Sequence, residues 1–273
     1  MTIIGELINS TRKSILPLLE TRDEVAIVSL ARKQLDAGAH LIDVNCAALM
    51  SAEAGCLEWA VRTIQDALNA RISLDSPNTE ALRRGLEAHR GKALLNSISM
   101  EHERWNALLP LVREFRPAVI ALCMDEGGIP AGVEGRLAAA GRLVDGLTEA
   151  GVPPDDIYLD PLLLPVATNS TAGATFLAAV GQLRVRFPGV HLICGLSNVS
   201  FGLPLRSLIN QVFLVLALAR GVDAFILDPL DRRLMADLVA AQMLLGRDEF
   251  CQHYIRAVRS GRLDFLRPGS GRR

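Results

Sequence analysis

Carboxylate and amide side chains recur along this chain directly after short apolar runs. A carboxylate can accept two neighbouring N–H donors, and a primary amide both donates and accepts along one edge. Side chains of these two kinds could therefore hold a flat nitrogen heterocycle by its hydrogen-bonding edge. The residues in these positions are Glu6, Asn9, Asp43, Asn45, Asp75, Asn96, Asp125, Glu126, Asp160, Asn198 and Asp228.

Any one of these residues could instead cap a helix or close a turn, because Asp, Asn and Ser favour such positions. That explanation weakens when nearly every apolar run ends in the same way. A pterin ring has a suitable edge, since it carries an amino group, a ring N–H, a carbonyl and ring nitrogens. The pattern therefore favours a binding site for a pterin-like ring.

Other catalytic groups are scarce after the apolar runs. The chain has three lysines, Lys13, Lys33 and Lys92, and none of them ends such a run. A Schiff-base mechanism is therefore disfavoured. His40 and His191 begin apolar runs, and the other three histidines fall in helical segments. Zinc held by histidines and histidine acid–base chemistry thus have little support.

Eight apolar runs alternate with helical patterns, and this alternation must position the polar residues. The pattern predicts a single-domain α/β protein, a (β/α)8 TIM barrel, whose chemistry gathers where the strands end. A doubly wound open sheet is the alternative, but no GxGxxG follows any run. The predicted strands are 2–4, 40–44, 71–74, 93–95, 118–122, 157–159, 190–193 and 224–227. The predicted helices are 23–37, 52–68, 79–89, one after Glu101, 132–150, 173–186, 206–220 and 231–245.

The chain departs from this repeat in two places. Residues 10–22 are predicted to form a long loop rather than a helix. The barrel is predicted to occupy residues 1–250, and residues 251–273 to form a C-terminal extension that is partly disordered. The disordered part is expected at 267–273, where glycine, proline and arginine predominate.

Bulk composition restricts the class of partner and the compartment. The 273 residues carry 29 basic and 30 acidic side chains, so a nucleic-acid partner is not expected. The longest apolar run, 212–219, is too short to span a bilayer, and no stretch reads as a signal peptide. Five cysteines are widely spaced without a CxxC pair, which is typical of reduced thiols. We therefore expect a cytoplasmic protein.

Six motifs at the predicted strand ends, read together, resemble a known family. They are IIGELIN at 3–9, LIDVN at 41–45, SLDS at 73–76, LNS at 95–97, YLDPL at 158–162 and GLSNVS at 195–200. In this order they resemble the methyltetrahydrofolate:corrinoid protein methyltransferases, a pterin-binding group related to dihydropteroate synthase. The resemblance extends over about residues 2–250.

The resemblance implies roles for particular residues. Asp75, Asn96 and Asp160 match positions that hydrogen-bond the pterin ring, and Asn198 matches an amide beside N5, the nitrogen that carries the methyl group. Arg206 could face the pterin or begin a helix. Further substrate contacts are expected from Glu6, Asn9, Asp43 and Ser197.

The resemblance also implies a reaction and partners. Tetrahydrofolate would be the methyl donor or acceptor in one-carbon metabolism, and N5 would gain a proton or a strong hydrogen bond as its methyl leaves. Asn198 would supply the hydrogen bond, and the proton would come through water or Asp160. The corrinoid, a cobalamin-like cofactor, would arrive on a partner protein, because the chain has no DxHxxG motif. A homodimer is expected, with no membrane partner and no metal of its own.

Two positions depart from the family's usual pattern. Its opening is usually GERIN, and here Leu7 replaces the arginine, so the anchoring of the first loop is in question. The loop after GLSNVS begins with Phe201 where some relatives carry polar residues.

Three other functions remain open at this stage. Dihydropteroate synthase shares the pterin site, but its NxTPDSFSDGG loop is here NSTRKSILP and its Ser-Arg-Lys segment is missing. A non-catalytic folate-binding subunit of a corrinoid system is the second. The third is zinc chemistry on a thiol acceptor, with Cys46, Cys123 and Cys194 near strand ends, although free cysteines are often small core residues.

Overall fold

A computed structural model describes residues 1–266 of the chain, and the predicted disordered segment 267–273 lies outside these residues. Eight parallel strands pair in sequence order, and β1 pairs with β8 to close a barrel. The predicted (β/α)8 barrel is confirmed. The strands are β1 (Thr2–Asn9), β2 (Leu41–Asn45), β3 (Arg71–Asp75), β4 (Leu94–Ser99), β5 (Ala118–Leu122), β6 (Ile157–Asp160), β7 (His191–Gly195) and β8 (Ala224–Leu227).

Helices surround the barrel, and the predicted ones are present with ends within about two residues of their predicted positions. In chain order the helices are α1 (Leu16–Glu20), α2 (Glu24–Asp36), α3 (Glu53–Ala67), α4 (Thr79–Ala88), α5 (His102–Phe115), α6 (Val133–Glu149), α7 (Ala172–Arg186), α8 (Arg206–Arg220), α9 (Arg232–Leu244) and α10 (Gln252–Arg259). Of these, α1 and α10 were not predicted. Polar caps explain several of their starts. Asp23, Asn78 and Asp231 accept hydrogen bonds from backbone N–H groups in the first turns of α2, α4 and α9.

Residues 10–22 are not the continuous loop that the sequence predicted. They contain α1, a helix of five residues with Pro17 in its first turn. Proline fixes φ near the helical value and has no N–H to satisfy, so it favours a helix start at this position. The buried side chain of Leu19 holds this short helix against the core.

Alternation along the strands creates two layers inside the barrel. Successive strand residues point to opposite faces, so every second residue faces the barrel axis. A lower layer of axis-facing apolar side chains consists of Ile4, Leu41, Leu94, Ala118, Ile120, Tyr158, Ile193 and Ala224. Two positions further along their strands come Glu6, Asp43, Asn96 and Asp160. The same alternation that fills the core thus presents a polar layer above it.

Strands β1 and β4 extend furthest beyond their predicted ends, and the added residues include both polar and apolar side chains. β1 continues to Asn9 and β4 to Ser99, whereas the apolar pattern ends at residues 4 and 95. Asn9 pairs in register with Asn45, and Asp75 pairs with Asn96. The extensions were missed because their cleft-facing residues, such as Glu6 and Asn96, are polar and interrupt the apolar runs before the strands end.

The remaining core lies between the strands and the helices, as expected for this architecture. α10 follows the barrel at Gln252–Arg259, within the predicted C-terminal extension. Over residues 1–266, no helix is both long and apolar enough to cross a membrane.

Candidate active site

A cleft of about 690 Å³ opens at the carboxyl ends of the barrel strands. All nine residues predicted for the site line it, although they come from six strand ends and from the start of α8. They are Glu6, Asn9, Asp43, Asp75, Asn96, Asp160, Ser197, Asn198 and Arg206. The barrel therefore brings together residues that lie up to two hundred positions apart in the sequence.

Glu6 connects the first and seventh loops. Its carboxylate accepts a hydrogen bond from Arg12 Nη2 at 2.6 Å and from Ser197 Oγ at 2.9 and 3.0 Å. Burial raises the pKa of Glu6, and Arg12 and Ser197 oppose that rise. Leu7, which stands in place of the family arginine, is buried, and its N–H donates to Gln34 Oε1 at 3.0 Å. In this chain Arg12 anchors the first loop to the cleft.

Strands β2 to β4 contribute a dense hydrogen-bonding network. Asp43 accepts from Ser73 Oγ at 2.6 Å and from Asn96 Nδ2 at 3.2 Å, and Asn45 Nδ2 donates to Asp75 Oδ2 at 3.0 Å. Burial, followed by the charge of Asp75, raises the pKa of Asp43 well above its ordinary value. Burial also raises the pKa of Asp75. Burial and the charge of Asp75 thus both favour the protonated form of Asp43.

Arg104 on α5 fixes the loops behind this network, and it was not among the predicted site residues. Its guanidinium donates to the carbonyls of Ser76 at 2.8 Å, Pro77 at 2.6 Å and Ser97 at 2.6 and 3.0 Å. Ser76 and Ser97 directly follow Asp75 and Asn96. One side chain therefore holds the segments that follow two of the three predicted ring contacts, Asp75 and Asn96.

Asp160 ends β6 and is 9% exposed. The backbone N–H of Leu162 donates to its Oδ1 at 2.7 Å. Burial raises the pKa of Asp160 to about 6, while the Leu162 N–H and the positive charge of Arg136 oppose the rise. A carboxyl group with this pKa can exchange a proton near neutrality.

Asn198 lies in a short 3₁₀ turn, Leu196–Asn198, that follows β7. A Cβ atom at Gly195 would lie only 3.0 Å from Asn198 Nδ2, so glycine leaves room for the amide. Within residues 1–266, no group hydrogen-bonds to the Asn198 side chain. An amide that lines a cleft without a protein partner is available to a ligand.

Arg206 both begins a helix and faces the cleft, the two roles that the sequence left open. It is the first residue of α8, and it also lines the cleft. Its Nε donates to Ser200 Oγ at 3.1 Å and its Nη2 to the Ser197 carbonyl at 2.7 Å. These bonds hold the loop that carries Asn198.

Asn210 lines the cleft one helical turn beyond Arg206, and it was not among the predicted site residues. Its Oδ1 atom is buried and has no hydrogen-bond partner within residues 1–266. The spacing of four residues from Arg206 was the available signal, because residues four apart share a helix face. The sequence alone did not indicate which face of α8 meets the cleft.

Some polar residues at the strand ends have other tasks. Asn9 Oδ1 accepts from the Thr11 backbone and hydroxyl at 2.9 and 2.7 Å, which closes a turn. Asp125 and Glu126 do not line the cleft, where β5 contributes Leu122 instead. Asp125 lies in a turn bridged to Gly128, beyond the end of the strand. The prediction that strand 5 adds carboxylates to the ring is therefore wrong.

The cysteines are part of the core. Cys46, Cys123 and Cys194 are fully buried, and the pKa of each thiol is raised, for Cys123 and Cys194 chiefly by burial. In the part of the chain that the structure describes, no three His, Cys, Asp or Glu side chains are placed to hold a metal ion. Nothing in this geometry supports zinc chemistry at these thiols.

Comparison with solved structures finds the same fold. The 7,8-dihydropteroate synthase of Vibrio fischeri ES114 superposes with a TM-score of 0.72 at 16% identity, covering 90% of this chain and 93% of that one. Xanthomonas albilineans dihydropteroate synthase with 4-aminobenzoic acid gives a TM-score of 0.71 at 19% identity, covering 90% and 92%. At these identities the likeness concerns the fold alone.

Sequence comparison identifies the family. Residues 5–228 match the pterin binding enzymes. The methylcorrinoid:tetrahydrofolate methyltransferase of Eubacterium limosum is 33% identical over 265 residues, which covers 96% of this chain and 98% of that protein. The methionine synthase of Mycobacterium tuberculosis is 30% identical over 237 residues, 82% of this chain but only 20% of that longer protein. The chain therefore belongs to the pterin-binding enzyme family, in the group that includes the methylcorrinoid:tetrahydrofolate methyltransferase.

Proposed function

We propose that this protein transfers a methyl group between N5 of tetrahydrofolate and the cobalt of a corrinoid held by a partner protein. The observation that carries the proposal is the position of Asn198, whose unpaired amide lines one cleft together with Asp75, Asn96 and Asp160. The 33% identity to a methylcorrinoid:tetrahydrofolate methyltransferase over nearly the whole chain supports it.

The donor set of the cleft suits a pterin ring. Asp75 and Asp160 offer carboxylate oxygens to the ring's amino and N–H groups, and Asn96 offers an amide to its ring nitrogens and carbonyl. Glu6 and Asp43 are already bonded to protein groups, so we assign them to supporting the site. The buried, unpaired Oδ1 of Asn210 is a further acceptor for an N–H group of a bound molecule.

Chemistry at N5 requires control of one proton. When N5 gives up its methyl, the nitrogen must gain a proton or a strong hydrogen bond, since an amine anion is a poor leaving group. In the opposite direction N5 gains the methyl and releases a proton. We assign the hydrogen bond to Asn198, and a donor of this kind lowers a barrier by about 3 kcal/mol. Asp160, with a pKa of about 6, is the carboxyl suited to exchange the proton.

The corrinoid supplies a cobalt centre that can give or accept a methyl group, so this chain needs no nucleophile of its own. The cleft opens to solvent at the carboxyl ends of the strands, where a partner could bring that centre. Phe201 and Leu205 are large, exposed apolar side chains beside this opening. They fit the rim of a docking site for a protein partner.

A diphosphate substrate, as dihydropteroate synthase would need, suits this cleft poorly. Among the described residues, Arg12 and Arg206 are the cations that line it. Arg12 is paired with Glu6, and Arg206 is bonded to Ser200 and Ser197. A dianionic group would have to compete with these protein acceptors.

We further propose that the protein forms a homodimer through α8. Leu208, Val212, Val215 and Leu216 are all exposed on this helix, and their spacing forms an apolar stripe. Sedimentation of the wild-type protein should give twice the mass of one chain. The Val212→Glu variant should give the mass of a single chain. A monomeric wild type would contradict the proposal.

The first test mixes the purified protein with methyltetrahydrofolate and chemically reduced cob(I)alamin, and follows the cob(I) spectrum. We expect cob(I) to disappear and methylcobalamin to form, and we expect Asn198→Ala to abolish this change without abolishing folate binding. Folate binding with no turnover, even with a corrinoid protein, would favour the non-catalytic subunit. An absence of folate binding would overturn the pterin site.

A further inference from the structure

Arg136, on α6, is an arginine whose side chain is 1% exposed. Its guanidinium donates to the carbonyl of Pro161 at 2.7 Å, of Leu162 at 2.9 Å and of Pro130 at 3.2 Å. Among the residues that the structure describes, no carboxylate forms an ion pair with it. Burying a cation that is held only by neutral carbonyls has a large desolvation cost, which lowers the stability of the folded protein.

The segment that Arg136 holds carries Asp160. Pro161 and Leu162 directly follow it, and the Leu162 N–H donates back to Asp160 Oδ1 at 2.7 Å. Leu162 has φ of +65°, a left-handed conformation that leucine rarely adopts. The Nη1 atom of Arg136 binds both carbonyls that flank this strained position. The guanidinium therefore fixes the backbone that aims the Asp160 carboxyl at the cleft.

The charge of Arg136 also acts on that carboxyl. It is the cation whose field opposes the burial of Asp160. The thiols of Cys123 and Cys194 lie close to Asp160, but burial raises the pKa of both, so they are neutral near pH 7. Arg136 is therefore the nearby charge that, with the Leu162 N–H, favours the ionised form of Asp160 against the effect of burial.

We propose that Arg136 is a positioning residue for the folate site, which orients the Asp160 carboxyl toward the pterin and whose positive charge favours the carboxylate. The identity of the ligand rests on the proposed function. The control of Asp160 by Arg136 does not, because it can be measured in the protein without folate.

Two substitutions separate the two parts of this role. Arg136→Lys keeps the positive charge but cannot reach all three carbonyls, and Arg136→Met keeps an unbranched flexible side chain, although a shorter one, without charge or donors. Arg142→Met is the matched control, because Arg142 lies on the same helix and pairs with Asp125 at the surface. Thermal melting of each variant reports whether it is folded.

The first measurement follows the Asp160 carboxyl carbon by NMR as pH is varied, with Asp160→Asn identifying its signal. For Arg136→Met we expect the proton affinity of Asp160 to rise about threefold or more, because a positive charge that favours the carboxylate is lost. For Arg136→Lys we expect a change of less than about threefold. An Asp160 titration unaltered in folded Arg136→Met would overturn the role of the charge.

The second measurement is methyltetrahydrofolate affinity at pH 7 and pH 9. Arg136→Met should bind at least about tenfold more weakly at pH 7, and the loss should shrink at pH 9, where Asp160 ionises without help. Arg136→Lys should lose affinity equally at both pH values, because only orientation is lost. If Arg136→Met does not fold, the result for Arg136→Lys tests the proposal instead. The proposal is overturned if this variant has the methyltetrahydrofolate affinity and the Asp160 titration of wild type. If wild type binds no folate, the proposed function fails and the NMR result still decides this inference.

Discussion

The two sides of the cleft are built in opposite ways. On the side of β2 to β4, the carboxyl and amide groups bond to one another, as Asp43 does with Ser73 and Asn96. On the side of β7 and α8, the amide of Asn198 and the Oδ1 of Asn210 have no protein partner within residues 1–266. The first side is a rigid surface that can recognise a flat ring. The second keeps hydrogen-bonding capacity free, which suits the place where bonding changes during a reaction.

The largest effect should come from the side with free hydrogen-bonding groups. Asn198→Ala should lower the rate of methyl transfer by about 100-fold or more, because a donor aimed at the reacting atom is lost. Folate affinity, measured by calorimetry, should change less than about fivefold, since the ring contacts on the other side remain. Ser207→Ala, which alters a nearby hydroxyl bonded to Asp231, serves as the control. Equal losses of rate and affinity would mean that Asn198 only binds the substrate.

Burial of the Asp160 carboxyl in the cleft should make the free energy of unfolding depend on pH. Its pKa of about 6 lies above the ordinary value of 3.8, so between these values the folded protein binds more protons than the unfolded chain. The free energy of unfolding therefore falls as pH rises from about 4 to 6, by about 3 kcal/mol from this group alone. Asp160→Asn should remove that fall.

Urea unfolding of wild type and Asp160→Asn at pH 4.5 and pH 8 measures this difference. The variant should be more stable than wild type at pH 8 and similar to it at pH 4.5, while its folate affinity is lost. A variant that is less stable than wild type at pH 8 would show that the buried charge is compensated within the folded protein.

On the bonded side, a single change should reduce affinity without affecting chemistry. Asp75→Asn replaces the carboxylate that would accept hydrogen bonds from the pterin ring, but it keeps an oxygen that can accept from Asn45. Folate affinity should therefore fall about 30-fold. The rate at saturating folate should change little. Asp66→Asn, at the surface on α3, controls for the loss of one negative charge. A rate that falls as far as the affinity would place Asp75 in the chemical step.

The smallest effect is expected at Asn210. Asn210→Ala removes an oxygen that has no protein partner, so the free energy of unfolding should stay within about 0.5 kcal/mol of wild type or rise. Ligand affinity should fall about fivefold if a bound molecule donates to this oxygen. Gln211→Ala, at the neighbouring position, controls for changes in the helix. A clear loss of stability with unchanged affinity would mean that Asn210 has a structural role.

Much of the site follows from the alternation of strand residues, which a sequence displays. Asp43, Asn96 and Asp160 each stand two residues after an apolar residue that faces the barrel axis, so their direction was predictable. Asp125 lies outside the cleft because β5 ends before it, and the sequence pattern does not show where that strand gives way to a turn. Alternation also left open which hydrogen bonds the polar residues would make.

The supporting arginines could not have been found in the same way. Arg104 and Arg136 lie on helices, and each reaches backbone carbonyls in loops that follow other strands. Their acceptors have no side-chain signature, because every residue has a carbonyl. Which helical position meets which loop depends on how α5 and α6 pack on the barrel, and a local pattern does not contain that information. Asn210 on α8 was missed for the same reason.

The bond between Ser197 and Glu6 joins residues separated by 191 positions, and the barrel itself closes only when β8 pairs with β1. A chain growing on the ribosome therefore cannot assemble this site until most of its length has been synthesised. Until then the Glu6 carboxylate lacks its Ser197 partner, and β1 lacks one of its neighbours. Contacts so distant in sequence slow folding, and folate cannot assist the nascent chain before the last strand has emerged. Substrate binding therefore requires a chain that has been synthesised through β8 and has closed its barrel.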